Sequence, residues 1–298
     1  MSQQSSFQKY LNEEVQKVRN VYYPIRAGLL RRTLVRRAAC RHLHPNPDDE
    51  FCKPEVGPNY GIISDYEKAF RHGTDFHSLG DNERDRVKPE PLIVQRTSPD
   101  GYQILNGHHR WAAAFRMGIK RVKVKVVNLT QEKDIRNMME KVRSDKRAVL
   151  DLDEVVFRSP DEPLLEKPLP FPANRIYKER IRLGIPALLH CLKRNGYEIW
   201  VYTSKYYSIE YIRWFFRHWN VRLTGIVTGS GRKSAGWSET GKTLTKLSEA
   251  KYHSTLHVAN DALVRSFTGS KEFEEYPLDP SSEQWARQAM DAIEKMKS

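Results

Sequence analysis

Asp151 and Asp153 stand one residue apart at the end of a short apolar run, AVLDLDEVVF at 148–157. Two carboxylates that close repel each other, so a cation, a shared proton or a reaction needing both must keep them together. By itself the stretch also reads as an Asx-rich turn ending a strand. Two other apolar runs finish in reactive groups. VYTSK, 201–205, ends its run with Thr203 and Ser204; LHVAND, 256–261, ends with Asn260 and Asp261. Lys242, in TGKTLTKL, opens the helical pattern between them. In a parallel α/β sheet the C-terminal strand ends border one crevice. An acid pair, a hydroxyl, an amine and a further acid are therefore expected to meet there. Such a set suits phosphoryl transfer, because a carboxylate attacks an anionic phosphate only when cations cancel the repulsion.

A second cluster is NGHHR at 106–110. The surrounding sequence predicts a strand over Leu92–Gln95, a turn at 98–101, a strand over Tyr102–Leu105 and a helix from His108 to about Met117. Asn106 is the expected N-cap and Gly118 the stop. Val122, Val124 and Val126 then alternate with Arg121, Lys123 and Lys125, a strand with one apolar and one basic face. A strand feeding Asn-Gly into a helix leaves free N–H groups at the helix start, which suits a phosphate. His108, His109 and Arg110 could add donors and charge; the alternative is surface histidines and an Arg110 paired with an acid.

The elements that must position these residues follow from pattern and composition. The 298 residues suffice for two domains. Fifty basic against 37 acidic residues give +13, of which 26 − 18 = +8 falls within 1–145 and 24 − 19 = +5 beyond it. That spread favours anionic ligands without choosing among nucleotide, phosphorylated metabolite and nucleic acid. Residues 24–41 hold six arginines and no acid, and Pro24 is placed to start a helix. Cys40, His42, His44 and Cys52 match no common zinc spacing. Three cysteines, no h-region at the N-terminus and no long apolar stretch lead us to expect a cytoplasmic protein without a membrane span. Ile135, Met138, Met139 and Val142 recur at helical spacing, predicting a stiff helical linker. The expected division is a basic helical extension at 1–50, a small α+β domain at 51–128, a linker at 129–146 and an α/β domain at 147–298.

ILNGHHRWAAAFRMGIKRVKVKVV resembles the core of the ParB/sulfiredoxin-like fold, over about 60–127. The resemblance implies nucleotide binding (ATP, ADP or CTP) through Gly107, His108, His109 and Arg110. Sulfiredoxin needs a cysteine where this chain has His108, which argues against that activity. NGHHR is nearer the form in ParB-like free-serine kinases, for which Glu67 is the candidate upstream glutamate. The order DLDEV, VYTSK, Lys242, LHVAND resembles the haloacid dehalogenase superfamily, over about 147–265, and implies a Rossmann-like parallel sheet. Carried over, Asp151 is the nucleophile that forms an aspartyl-phosphate, and Asp153 protonates the leaving oxygen and activates water. Thr203 and Lys242 hold the phosphoryl oxygens, and Asp261 joins Asp151 and Asp153 at Mg2+. The family's last motif usually has its metal-binding Asp where the strand ends and a second acid after it; here Asn260 precedes Asp261. Residues 158–175 and 204–241 are too short for a cap, which implies an open site or one covered by the first domain. Three functions follow: a Mg2+-dependent phosphomonoester hydrolase acting on a phosphorylated small molecule or an end-phosphorylated nucleic acid, a ParB-like kinase or nucleotide switch, and a non-enzymatic nucleic-acid-binding protein.

Overall fold

In a computed structural model of the chain, which describes residues 3–72, 90–230 and 235–296, the backbone divides into two compact units, Met1–Asn128 and Leu129–Ser298. The first carries α1 (Gln3–Val21), β1 (Tyr23–Pro24), α2 (Leu29–Leu34), β2 (Arg37–Ala39), β3 (Leu43–His44) and α3 (Tyr60–Arg71), then β4 (Leu92–Ser98), β5 (Tyr102–Asn106), α4 (His108–Arg116) and β6 (Arg121–Val127). Its sheet runs β2-β6-β4-β5-β3, with β1 pairing β4. The β4–β5 hairpin is antiparallel, whereas β6 lies parallel to β4. Val122, Val124 and Val126 enter a core shared with Leu92, Val94, Ile104, Trp111 and three α1 side chains, Phe7, Leu11 and Val15. The alternation of β6 thus works as expected, with lysines outward.

Residues 24–41 do not form the single helix expected from Pro24. Tyr23 and Pro24 pair antiparallel with Ser98 and Thr97, and the Ile25 N–H reaches the Arg96 carbonyl. Proline is tolerated at such an edge because its missing N–H costs no ladder bond. The helix is confined to Leu29–Leu34, none of whose residues is buried.

The second unit contains α5 (Glu132–Met139), β7 (Lys146–Asp151), a π-helical turn (Leu152–Val156), β8 (Phe157–Arg158), α6 (Ala173–Ile176), β9 (Arg180–Ile181) and α7 (Ile185–Arg194). It continues with β10 (Glu198–Thr203), α8 (Ile209–Arg217), β11 (Gly225–Thr228), α9 (Ala235–Lys251), β12 (Ser254–Val258), β13 (Ala262–Phe267), β14 (Phe273–Pro277) and α10 (Trp285–Lys295). The sheet order is β11-β10-β7-β12-β13-β14. The first four strands are mutually parallel, and β13 and β14 are antiparallel additions. The sheet is therefore mixed, not parallel throughout as expected: β12 turns straight back into β13 through Ala259–Asp261, too short for a crossover.

Both faces of the parallel strands are covered, which explains their continuous apolar runs. Ile199 and Val201 face a core with Leu150, Leu256, Leu188 and Phe216. The alternating residues, Val149, Trp200 and Tyr202, face a smaller cluster with Ile135, Met138, Met139, Val227, Leu244 and Tyr252. The 129–146 segment, expected as a linker, thus places α5 inside the second unit's own packing. The Trp200 indole donates to the Tyr252 hydroxyl at 2.7 Å. A Cβ on Gly225 would collide with the Trp200 ring, so this position on β11 needs glycine for close approach.

Candidate active site and an anion-facing helix start

Strand β7 lies where the order reverses: the chain goes from β7 to β10 and β11 on one side, then returns to place β12 on the other. A crevice opens at such a switch point, outside the C-terminal strand ends. Asp151 ends β7 there. Its Oδ1 accepts the N–H of Asp153 at 2.7 Å and of Glu154 at 3.0 Å. The carboxylate thereby caps the π-helical turn, a local irregularity found often at functional sites.

Asp153 turns the other way. Its carboxylate accepts from the Thr203 hydroxyl (2.9 and 3.0 Å to its two oxygens), the Ser204 N–H at 2.8 Å and the Ser204 hydroxyl at 2.9 Å. The Lys205 ammonium stands 3.6 Å from Asp153 Oδ1. Thr203 is fully buried at the end of β10, and its oxygen also accepts the Lys205 N–H at 3.1 Å. The end of β7, the turn after it and the end of β10 thus carry Asp151, Asp153 and Thr203, with Asp153 bonded to Thr203. Ser204, read with Thr203 as the strand end, also bonds Asp153, whereas Lys205, next in VYTSK, was given no role from the sequence.

Lys242 lies exposed within α9, seven positions after Ala235. The cation beside Asp153 is Lys205. The structure does not gather three carboxylates: among the described residues no group of three or more His, Cys, Asp or Glu is arranged to hold an ion. Asp261 is exposed in the β12–β13 turn, its carbonyl taking the Leu278 N–H at 2.6 Å. Asn260 is the residue that reaches the Asp151 turn, its Nδ2 donating to the Glu154 carbonyl at 3.0 Å. Its Oδ1 accepts from Arg158 at 2.7 Å and Arg182 at 3.1 Å.

In the first unit the helix start differs from expectation in one detail. Gly107, not Asn106, caps α4, at φ 101°. That left-handed backbone favours glycine, and a Cβ there would strike the Leu92 side chain. The histidines, expected as phosphate donors, serve as acceptors. His108, buried, takes the Asn46 N–H on Nε2 at 3.1 Å, and His109 takes the Asn59 N–H at 3.1 Å. Burial lowers the His109 pKa below its ordinary value, which keeps the accepting ring neutral. Arg110 is the exception. Its guanidinium lies over the Tyr66 ring (5.3 Å to the centroid) and approaches the hydroxyl at 3.4 Å, while its buried Nε and Nη1 have no hydrogen-bond partner. Glu67 is tied to Arg116 at 2.9 Å.

Among the described residues the Cys40, His42, His44 and Cys52 group is not arranged to hold an ion. Burial pushes the thiols up, Cys40 to about 11 and Cys52 to about 12. His44 pairs with Glu14 at 2.7 Å and His42 with Asp100 at 3.1 Å. Among the described residues no helix is long and apolar enough to cross a membrane.

Compared with known proteins, residues 82–141 match the family model of the ParB N-terminal domain. No curated protein and no solved structure matches the chain.

Proposed function

We propose that the second unit is a phosphomonoester hydrolase with Asp151 as its nucleophile. One observation carries this reading: at the sheet's switch point β7 ends in Asp151 and the turn after it carries Asp153, with Asp151 held by main-chain N–H groups and Asp153 by Thr203 and Ser204 from the end of β10. Asp151 Oδ1 is held by two main-chain N–H groups, which leaves Oδ2 to attack. An O–P bond forms at Oδ2 as the ester O–P bond breaks. Asp153, carried by Thr203 and Ser204, delivers a proton to the leaving alkoxide and then takes one from the water that hydrolyses the aspartyl-phosphate. Lys205 supplies positive charge beside the acid pair. Mg2+ held at Asp151 and the Asp153 carbonyl would neutralise phosphate oxygens. The test is turnover of an aryl phosphate with Mg2+ by the full chain and by Asp151→Asn. Loss of activity in the variant supports the reading, and wild-type turnover in it removes Asp151 as nucleophile.

A second reading belongs to the first unit, favoured by the partnerless Arg110 N–H groups and the ParB N-terminal domain match. There the α4 start takes a nucleotide phosphate or a nucleic-acid backbone. Calorimetry with ATP and CTP, and salt-dependent retention on DNA, compare wild type with Arg110→Ala; equal binding by both proteins removes the site.

A further inference from the structure

Strands β8 and β9 form a two-stranded antiparallel ribbon directly after the Asp151 turn, with Arg158 opposite Arg180. Cross-strand partners project on the same side, and Arg182 follows two positions after Arg180, so three guanidiniums share one face. Among the described residues the one ion pair on that face is the long contact of Arg158 with Glu162. Arg158 and Arg182 both donate to the neutral amide oxygen of Asn260. Arg182, 4% exposed, spends its other end on the Pro280 carbonyl at 2.6 Å and lies 3.9 Å from the Trp285 ring centroid. Burial, then the neighbouring Arg158 charge, lowers its pKa to about 10. Arg180 donates to the Glu166 carbonyl at 2.9 Å, and its buried Nε has no partner. Glu162, 45% exposed, lies 3.9 Å from Arg158, and the Glu166 carboxylate is taken up by the Gly184 N–H at 2.8 Å. Among the described residues neither Arg180 nor Arg182 pairs with an acid.

Placing like charges together in a partly dry site is costly unless an anion joins them. The ribbon is also coupled to the candidate active site: Asn260 bridges the two arginines to the Glu154 carbonyl, and the Glu154 N–H holds Asp151. We propose that the Arg158–Arg180–Arg182 face binds a second phosphate carried by the phosphomonoester substrate, next to the phosphate that Asp151 attacks. A phosphate offers three oxygens and up to two charges, which suits several forked donors better than a carboxylate does. The identification of the ligand as substrate rests on the phosphohydrolase reading; the anion site itself does not.

The experiment separates the two. Calorimetry on full-length Asp151→Asn, which holds ligand without turnover, uses 1,3-propanediol monophosphate, 1,3-propanediol bisphosphate and the analogue with carboxylate in place of the second phosphate. The bisphosphate is expected to bind at least ~10-fold tighter than the monophosphate, the scale of a charge-assisted hydrogen bond. Adding Arg158→Gln, a partly exposed position, is expected to reduce that ratio below about twofold, with an unchanged melting temperature confirming the fold. Equal affinity for mono- and bisphosphate, or a preference that survives Arg158→Gln, overturns the proposal. A carboxylate analogue binding as tightly as the bisphosphate overturns the choice of phosphate. Aryl phosphate turnover by wild type is scored separately: turnover without the preference leaves only the phosphohydrolase reading, and the preference without turnover leaves only the anion site.

Discussion

Replacing Thr203 with valine tests the geometry of the acid pair most directly. Valine keeps the branched shape and the strand preference at a fully buried position, so the change removes a hydroxyl and little else. The hydroxyl donates to the Asp153 carboxylate and accepts the Lys205 N–H at 3.1 Å. A hydrogen bond to a charged group contributes about 1.5–3 kcal/mol. Asp153 retains the Ser204 N–H and hydroxyl, and with its side chain 15% exposed it can recruit water. We therefore expect the low end, about 1–2 kcal/mol. In a unit of this size that corresponds to a fall of roughly 3–6 °C in melting temperature. The assay is thermal unfolding followed by tryptophan fluorescence, run as a double-mutant cycle with Asp153→Asn. A coupling of about 1 kcal/mol is expected for residues in direct contact. If Thr203→Val melts with wild type, or the cycle shows additivity, Asp153 is not held by Thr203 and the catalytic geometry collapses with it.

Other predictions are independent of that pair. Gly225→Ala forces a Cβ into the Trp200 ring and should cost about 1–3 kcal/mol, read by chemical denaturation. A fragment starting at residue 146 loses Ile135, Met138 and Met139 from its own core; at about 1.5–3 kcal/mol per buried side chain that rivals the 5–15 kcal/mol total of a typical domain. It should expose apolar surface and bind a hydrophobic dye, whereas a fragment from 129 should not. The His109 pKa is lowered by burial, so its folded value lies below the unfolded 6.5. Between those values the unfolded chain binds more protons, and stability must fall as pH drops below about 6.5. His109→Gln should flatten the melting temperature between pH 5.5 and 7.5. Glu14, lowered chiefly by its hydrogen bond to His44, adds stability above the ordinary carboxylate range that is lost at more acid pH; Glu14→Gln should remove that acid limb.

Much of the architecture is legible in one dimension because it depends on local rules. The β4–β5–α4–β6 run follows from alternating valines, turn residues and Gly107, and the structure places each of these elements within a few residues of expectation. The reactive strand ends Asp151, Asp153 and Thr203 were readable for the same reason: a parallel strand delivers its last residues to a known edge. What tertiary structure alone decided was the partner of each group. Lys205 stands beside Asp153, since side-chain reach across strand ends depends on how β7 and β10 are registered. His108 and His109 accept main-chain N–H groups from residues 46 and 59, contacts spanning more than 45 positions that no local spacing encodes. The arginine face arises because the β8–β9 pairing sets Arg158 against Arg180 and because Asn260, 102 positions from Arg158, turns its amide toward them. Sequence fixes which strand ends carry reactive groups, through periodicity and turn chemistry; only folding sets which charges meet, because Coulomb and hydrogen-bond energies depend on distances the chain closes across long loops.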